Sequence, residues 1–533
     1  MEIIQKIIED LIKARIKTPA DLASFKRGVS KKYKILCPSN IELLKAYHKL
    51  VKNKRVEKSE RIEFLLRTRP IRSLSGIVNI SVLTKPYPCP GKCLYCPIEK
   101  GIPKSYVSGE PAVERAKMLN YDPYLQMKRR IEMLESEGHP TDKIELRIVG
   151  GTWSYYPKKY QNWFVTRCFA ACNAELHGTK RGITRKIKSL KEEQKINERA
   201  KHRIVGLSIE TRPDFIDEKE IKHLRKLGVT MVELGVQSIY DNVLKLNLRG
   251  HGAKEIILAT KLLKDAGFKI LYQMMPNLPG SNLKRDEKMF EELFENPDFQ
   301  PDLLKIYPCA LLKEAPLYKL WKIGKYKPYT KGQLINLLKS IKKRIPYYVR
   351  IQRITRDIPS QKIIEGGAKV SNLRQILAAL AKKEGWKCKC VRCREVKGNY
   401  DPKEKLYLFR QDYNASNGKE IFLSFENPEG KPSASYGAGK NRKLYSLLRL
   451  RITSVGEAII REIHTYGLLV PIAERKIAPQ HRGLGKKLIK EAEKIAKEEF
   501  DLKKIAVISG VGVRNYFLQL GYELEETYMI KVI

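Results

Sequence analysis

The sequence predicts an α/β protein in three parts: a basic helical module, a parallel sheet or (β/α) barrel, and a C-terminal α+β domain. Three observations predict it. Between Val78 and Pro308 short apolar runs alternate with charged helical stretches, the pattern of parallel strands joined by crossover helices. The first 75 residues read instead as helices, with 19 Lys and Arg against 8 Asp and Glu. From Val396 onward, strand-like runs surround the amphipathic helix "GLGKKLIKEAEKIAKEEF".

The boundaries follow those shifts in texture: residues 1–75, 76–370, a cysteine-containing junction at 371–395, and 396–533. In the first part, "RGVSKKYKI" and "VKNKRVEKSERIEFLLRTRPIRS" look suited to tracking phosphates along a nucleic acid. In the second, the strands are "NISVLTKPYPC", "IELRIVGG", "RIVGLSIET", "MVELGVQS", "KILYQMMP" and "DLLKIYP". Lys180 to Arg203 interrupts them with almost no large apolar residue, so it reads as an exposed helix or a mobile insert whose basic bias suits RNA. After Thr330 a helical, basic connection leads to "WKCKCVRCRE". The last part holds strands in "KLYLFRQDY", "EIFLSFE", "AIIREIHTYG" and "KIAVIS".

The whole chain of 533 residues carries 104 Lys and Arg against 59 Asp and Glu, a surplus of 45 positive charges. Such an imbalance calls for a polyanionic partner, and nucleic acid is the first choice. A heat-adapted surface explains abundant charge but not its one-sidedness. No apolar run approaches the roughly 20 residues needed to cross a bilayer, and "MEIIQKIIEDLIKARIK" is an amphipathic helix rather than a signal peptide. The expected location is the cytoplasm, where the ten cysteines stay reduced and clustered ones bind metal. Isolated Cys37 reads as buried packing.

Cys89, Cys93 and Cys96 fall within eight residues in "CPGKCLYC". Structural zinc usually takes four protein ligands in two pairs, and three thiolates on one tight loop suit a [4Fe-4S] cluster with one iron left open. That iron can accept the amino and carboxylate groups of S-adenosylmethionine. CxxxCxxC at the end of a strand that opens a (β/α) series is the signature of radical-SAM enzymes; half a zinc site and a purely structural cluster are the bland alternatives. The strand ends agree with the cofactor. Gly150 and Gly151 of "VGGTWS" allow close backbone approach, Glu210 of "LSIETRPD" can accept from ribose hydroxyls, and Gln237 of "ELGVQS" and Met274 of "MMPNLPG" occupy matching positions.

Cys388, Cys390 and Cys393 in "CKCVRC" form a second trio, read as structural zinc with Cys309 of "KIYPCALL" as the fourth ligand. Cys168 and Cys172, spaced one helical turn apart, read as core. Near the C-terminus, Gln480, Gly483, Leu484 and Gly485 lie in "QHRGLG", a QxxGxG turn opening a helix whose uncovered N–H groups can seat a pyrophosphate. With the strand "KIAVIS" and the run "GVGVRNYFLQLGY" behind it, this resembles the acyl-coenzyme A site of GCN5-type acetyltransferases, which implies the hydroxyl of Tyr516 near the thioester. Phe517 beside it has no hydroxyl to offer.

A radical-SAM barrel followed by an acetyltransferase domain behind a basic leader resembles the catalytic subunit of Elongator and its stand-alone archaeal and bacterial relatives. The likeness spans nearly the whole chain, through "SGEPAVERAKMLNYDPYLQ", "GHPTDKIELRIVGGTWS", "VELGVQSIYDNVLKLNLRGH", "RIQRITRDIP", "REIHTYG" and "QHRGLGKKLIKEAEKIAKEE". The resemblance implies a partial (β/α) barrel with a GNAT domain, and a reaction that uses acetyl-CoA to make 5-carboxymethyluridine at the tRNA wobble position. A 5′-deoxyadenosyl radical would abstract hydrogen from the acetyl methyl, the carbon radical would add to uracil carbon five, and thioester hydrolysis would release the product. It implies Cys89, Cys93 and Cys96 as cluster ligands, and Lys143, Glu462, Ile463, His464, Thr465, Gly483 to Gly485 and Tyr516 as acetyl-CoA contacts. The implied partners are the tRNA anticodon stem-loop, whose wobble base would flip into the barrel mouth, and an electron donor for the cluster, acting on a monomer or homodimer. Against the family's eukaryotic pattern, the first cysteine gap is shorter, Phe517 replaces a second tyrosine, and the CxCxxC group is present. The rival reading is a protein lysine acetyltransferase with a structural iron-sulfur cluster, which would want an acidic groove for its cationic peptide; the charge of +45 argues against one.

Overall fold

The computed structural model describes residues 2–533 apart from 15, 17, 175–185, 399, 429–441 and 469–478. Seven strands form the first sheet: β1 (Val78–Leu83), β2 (Lys143–Val149), β3 (Arg203–Thr211), β4 (Met231–Gln237), β5 (Lys269–Met274), β6 (Leu303–Ile306) and β7 (Arg350–Ile354). Each pairs in parallel with the next in sequence. Helical crossovers return the chain to the same end every time, so all seven carboxyl ends share one rim. The barrel is partial: among the described residues β1 and β7 are its open edges.

β2 shows how the barrel is built. Ile144, Leu146 and Ile148 are buried, while the alternate residues Lys143, Glu145, Arg147 and Val149 are half-buried. The first set packs outward on helices Pro123–Ser136 and Lys158–Cys172 through Met127, Ile131, Phe164 and Phe169. Cys168 and Cys172 belong to this core. The second set faces a polar lumen instead of the packed side-chain layers of a closed (β/α) barrel.

The structure corrects four expectations. The basic connection after Thr330 contains β7, whose Ile351 and Ile354 are buried against the helical layer. Of the insert at Lys180 to Arg203, residues 180–185 lie outside the described residues, and the remainder is not an exposed helix. Ser189 caps Leu190–Asn197; Glu193 and Asn197 are buried, with the Asn173 amide donating to Glu193 at 2.8 Å and the Asn197 amide to Asn173 at 2.9 Å. A polar seam holds this helix, so a lack of apolar residues did not mean exposure. Cys37, expected inside, is exposed on the extended link between helices Pro19–Tyr33 and Asn40–Lys52. The C-terminal sheet has more strands than expected.

That sheet comprises β8 (Tyr407–Ala415), β9 (Gly418–Pro428), β10 (Arg442–Ile452), β11 (Ala458–Thr465), β12 (Lys504–Val507), β13 (Glu523–Glu525) and β14 (Tyr528–Val532), in the order β13-β14-β12-β11-β10-β9-β8. Only β11 and β12 pair in parallel. Leu488, Ile489, Ala492, Ile495 and Ala496 of helix Leu484–Glu498 pack on it. The unforeseen central strand β10 is masked in sequence by Arg449 and Arg451, which are buried because each meets carboxylates: Arg449 with Glu462 at 2.8 Å, Arg451 with Asp265 at 2.6 Å and Glu420 at 3.0 Å.

The N-terminal helices Glu2–Lys13, Pro19–Tyr33, Asn40–Lys52 and Glu60–Leu66 enclose their own core of Ile7, Leu11, Leu43, Tyr47 and Leu50. Capping boxes at Thr18 with Asp21 and Ser39 with Glu42 start two of them. The module joins the barrel through polar contacts: Thr68 N–H donates to Glu137 O at 3.0 Å, and Arg67 Nε to Gly138 O at 2.8 Å. No described helix is long and apolar enough to cross a membrane.

Candidate active site

The loop leaving β1 carries the first cysteine trio to the carboxyl rim. Its anchors are backbone bonds: Thr84 N–H to Val149 O at 2.9 Å, Leu94 N–H to Asn247 O at 3.2 Å, and Leu317 N–H to Leu94 O at 2.8 Å. Cys89 and Cys93 face one point, since a Cβ on Gly91 would lie 3.7 Å from the first sulfur and 3.4 Å from the second. Among the described residues, three potential ligand atoms come within 4.8 Å of one another only at Cys388, Cys390 and Cys393. The wider spacing of Cys89, Cys93 and Cys96 therefore fits a multi-iron cube better than one ion. Burial pushes the Cys96 thiol up to about 12, and a coordinating cation is what would favour its thiolate. Positive charge surrounds the trio. Arg249 Nη1 donates to Cys93 Sγ at 3.6 Å, and Arg212 Nη1, buried and without a partner, would be 2.7 Å from a Cβ on Gly91. That orphaned donor fits an anionic group held by the three sulfurs.

Around this loop opens a cavity of about 1820 Å³, lined by Tyr95, Cys96, Glu210, Gln237, Gln273 and Lys305 among others. Glu210 accepts from Tyr106 at 3.1 Å and from Gln273 at 3.2 Å, with Lys305 Nζ at 3.5 Å. Burial raises its pKa although Lys305 opposes the shift. Gln237 ends β4 with φ of 71° and an unpartnered buried Oε1, a strained posture typical of functional positions. Gly150 and Gly151 have φ of 133° and 103°, but the close approach is to protein: a Cβ on Gly150 would fall 1.9 Å from Thr84 Oγ1. Met274 is core, and its neighbour Met275 faces the cavity.

The lumen continues this cavity along the strands. Arg147 donates to Glu145 at 2.7 Å and, outweighing burial, holds that carboxyl down to about 2; Lys305 pairs with Glu233. Sequence reasoning missed Tyr106, Arg147, Glu233, Gln273 and Lys305. The available signal was a charged or amide residue at alternate positions within the apolar runs, as in "IELRIV".

At the opposite, amino ends of the strands stands the acyl-coenzyme A motif. Lys143, first residue of β2, donates to Gln480 Oε1 at 2.9 Å; the Gln480 amide donates to Gly76 O at 3.1 Å and Thr465 O at 3.3 Å. Burial lowers the Lys143 pKa. His464 Nε2–H donates to Ser75 O at 2.7 Å, and the ring stacks on Tyr466 with centroids 4.3 Å apart. Gly483, at φ of 69°, precedes helix Leu484–Glu498 and offers no capping side chain; Leu484 is buried below it. A Cβ on Gly485 would lie 3.2 Å from Tyr516 Oη, 3.6 Å from Ile463 Cδ1 and 4.0 Å from Thr465 Oγ1, so these four meet. Burial pushes Tyr516 up to about 12, leaving it a protonated donor at neutral pH. Glu462 differs from these in being held in ion pairs by Arg449 at 2.8 Å and Lys269 at 3.4 Å.

Cys309 does not join the second trio. It is 2% exposed in an apolar cluster with Leu278, Leu311, Leu317 and Tyr326, because the turn after β6 directs it into packing. Cys388, Cys390 and Cys393 lie between the sheets, where Val391 N–H donates to Val349 O at 3.0 Å and Arg394 meets Glu426 at 2.5 Å. Lys342 Nζ is 3.5 Å from Cys393 Sγ.

The Radical SAM superfamily profile matches residues 87–293, and that of the Radical_SAM C-terminal domain matches 301–383. The tRNA uridine(34) acetyltransferase of Methanocaldococcus infernus is 45% identical over 93% of this chain and 91% of its own. Human Elongator complex protein 3 is 39% identical over 88% and 86%. The solved structure of the archaeal Methanocaldococcus infernus Elp3 with an N-terminal deletion superposes with a TM-score of 0.73 at 43% identity, covering 86% of this chain and all of that one. With the cysteine loop, the rim cavity and the acyl-coenzyme A motif in one continuous chain, the protein belongs to the radical-SAM family of tRNA uridine(34) acetyltransferases and Elongator catalytic subunits.

Proposed function

We propose that the chain modifies the wobble uridine of tRNA, joining the acetyl methyl carbon of acetyl-CoA to uracil carbon five to give 5-carboxymethyluridine. The observation that carries this reading is the polar lumen: it runs from Cys96 and Glu210 at one end of the strands to Ser75 and Arg350 at the other, where Ser75 O receives His464. Strands of β2 length span about 20 Å, and the contact of Ser75 with His464 supports a reading in which the acyl-coenzyme A motif adjoins the far end of this lumen.

Cys89, Cys93 and Cys96 would hold the [4Fe-4S] cluster, which with S-adenosylmethionine supplies the carbon radical that ordinary acyl transfer cannot. Glu210 and Gln237 orient the cofactor's polar groups at the rim. Lys143 and Gln480 brace the turn before helix Leu484–Glu498, whose free N–H groups receive the pyrophosphate, and Tyr516 Oη donates near the thioester. Arg69, Arg72, Arg115, Arg130 and Arg392 along the cavity contact the anticodon phosphates. Cys388, Cys390 and Cys393, whose sulfurs lie within 4.8 Å of one another, would hold a metal ion that clips β7 to the second sheet.

Anaerobic incubation with tRNA, acetyl-CoA, S-adenosylmethionine and dithionite, followed by nucleoside mass spectrometry, is expected to yield carboxymethyluridine. Cys93→Ala should abolish the product and Tyr516→Phe should lower it at least about tenfold. Elemental analysis should find zinc lost in Cys390→Ser. Acetyl transfer to protein lysines without S-adenosylmethionine, and no modified nucleoside, would favour the lysine acetyltransferase reading.

A further inference from the structure

We propose that the outer face of the first cysteine loop is the docking surface for a small acidic one-electron carrier protein. The inference rests on Cys89, Cys93 and Cys96 being cluster ligands. Their loop has two sides. Tyr95 and Cys96 line the cavity, the side that substrate and cofactor occupy. Cys89 lies on the other, its sulfur 3.7 Å from Thr152 Oγ1, with Pro88, Pro90 and Lys92 exposed around it.

Electron transfer slows steeply with distance, so a carrier must approach where the protein over the cluster is thinnest. Here that shell is the exposed loop itself. Beside it runs a row of aromatic rings around buried Tyr156: half-buried Tyr87 stacks on it with centroids 4.8 Å apart, half-buried Tyr160 at 5.1 Å, and Tyr160 neighbours exposed Trp163 at 5.5 Å. Tyr155, 6.0 Å from Tyr87, and Trp163 are 40% and 45% exposed. Exposed aromatics grouped in this way mark interfaces.

The rim of the patch is cationic. Lys85 sits 5.1 Å over the Tyr160 ring, and exposed Lys92 and Lys159 form no ion pair among the described residues. The adjacent carboxylate Glu220 is engaged by Lys158. A positive ring around an apolar centre complements an acidic carrier in charge and speeds its encounter. The carrier gives up one electron and leaves oxidised, the cluster takes up that electron, and no atom or proton changes hands.

The test measures the rate at which the cluster's reduced electron paramagnetic resonance signal appears in the reconstituted full chain. Reduced flavodoxin is the acidic protein probe, and methyl viologen radical is a small reductant that needs no docking face. Lys85→Glu/Lys159→Glu is expected to slow reduction by flavodoxin about tenfold or more and to leave the viologen rate within about twofold. Wild-type reduction by flavodoxin should slow with added salt. Trp163→Ala should slow flavodoxin several-fold with tRNA affinity unchanged. Equal rates for all proteins with flavodoxin, or equal losses with both reductants, would overturn the proposal. So would a charge reversal that weakens tRNA binding while sparing flavodoxin, since the face would then belong to RNA. Absence of any cluster signal in wild-type protein under either reductant would overturn both this proposal and the assignment of the three cysteines.

Discussion

Gly485 separates stability from function within a single methyl group. It occupies the first turn of helix Leu484–Glu498 with ordinary helical backbone, so alanine there should be neutral or stabilising by up to about 1 kcal/mol. The added Cβ would press on Tyr516 Oη at 3.2 Å, closing the space a thioester needs. Gly485→Ala is therefore expected to keep or raise the melting temperature while weakening acetyl-CoA binding about tenfold or more. Calorimetric titration beside a thermal melt checks both halves; unchanged affinity would place the acyl group elsewhere. Residues of this kind were readable in sequence because their chemistry is local: a turn needs its glycines and a cluster its cysteines at fixed spacing. Glu233 and Lys305 were not, since each is explained only by a partner 72 positions away.

At the scale of elements, the segment between the N-terminal helices and β2 hinges on His139. Its Nε2–H donates to Thr68 O at 2.9 Å and its Nδ1 accepts from Ser73 at 2.9 Å. Burial, with Arg67 and Arg72 nearby and Glu137 opposing them, holds its pKa down to about 4 against an ordinary 6.5. Above 6.5 the ring is neutral in both folded and unfolded chains, and its contribution is complete. Between 6.5 and 4 the unfolded chain takes up the proton first, so stability falls as pH falls, by about 3 kcal/mol in all. His223 and His251 shift the same way to about 4. Melting temperature should thus drop from pH 7 to pH 5, and His139→Gln, able to make a similar bond to Thr68, should flatten part of that slope. An identical slope in the variant would remove His139 from the account. The elements themselves were legible where periodicity was clean, as in β2 to β6. β7 was hidden because five residues with two arginines resemble the basic helices on either side, and β10 because buried arginines imitate a surface.

At the scale of the whole molecule, buried ion pairs join the apolar cores where the two sheets meet. At the seam between the sheets, Asp302 accepts from Arg461 at 2.6 Å, 2.8 Å and 3.0 Å, stands 3.7 Å from Arg449, and accepts the Ile270 N–H at 2.9 Å. Lys264 and Glu420 extend the network at 3.5 Å, and burial lowers Lys264 to about 8. None of the three side chains Asp302, Arg449 and Arg461 is more than 1% exposed. Asp302→Asn preserves volume but takes from Arg461 its nearest counter-charge, leaving only Glu420 at 3.5 Å, while Arg449 keeps Glu462; the expected loss is about 3 kcal/mol. The exposed pair of Arg344 with Glu291 is the control, where Glu291→Gln should change stability by less than about 1 kcal/mol. Because Lys143 and Gln480 meet across the same seam, Asp302→Asn should also weaken acetyl-CoA binding, and it should do so at temperatures where the radical-SAM half still assembles its cluster. Urea unfolding followed with acetyl-CoA titration separates these effects; equal stability losses for the two variants would show that the buried network is not what binds the acetyltransferase sheet to the barrel.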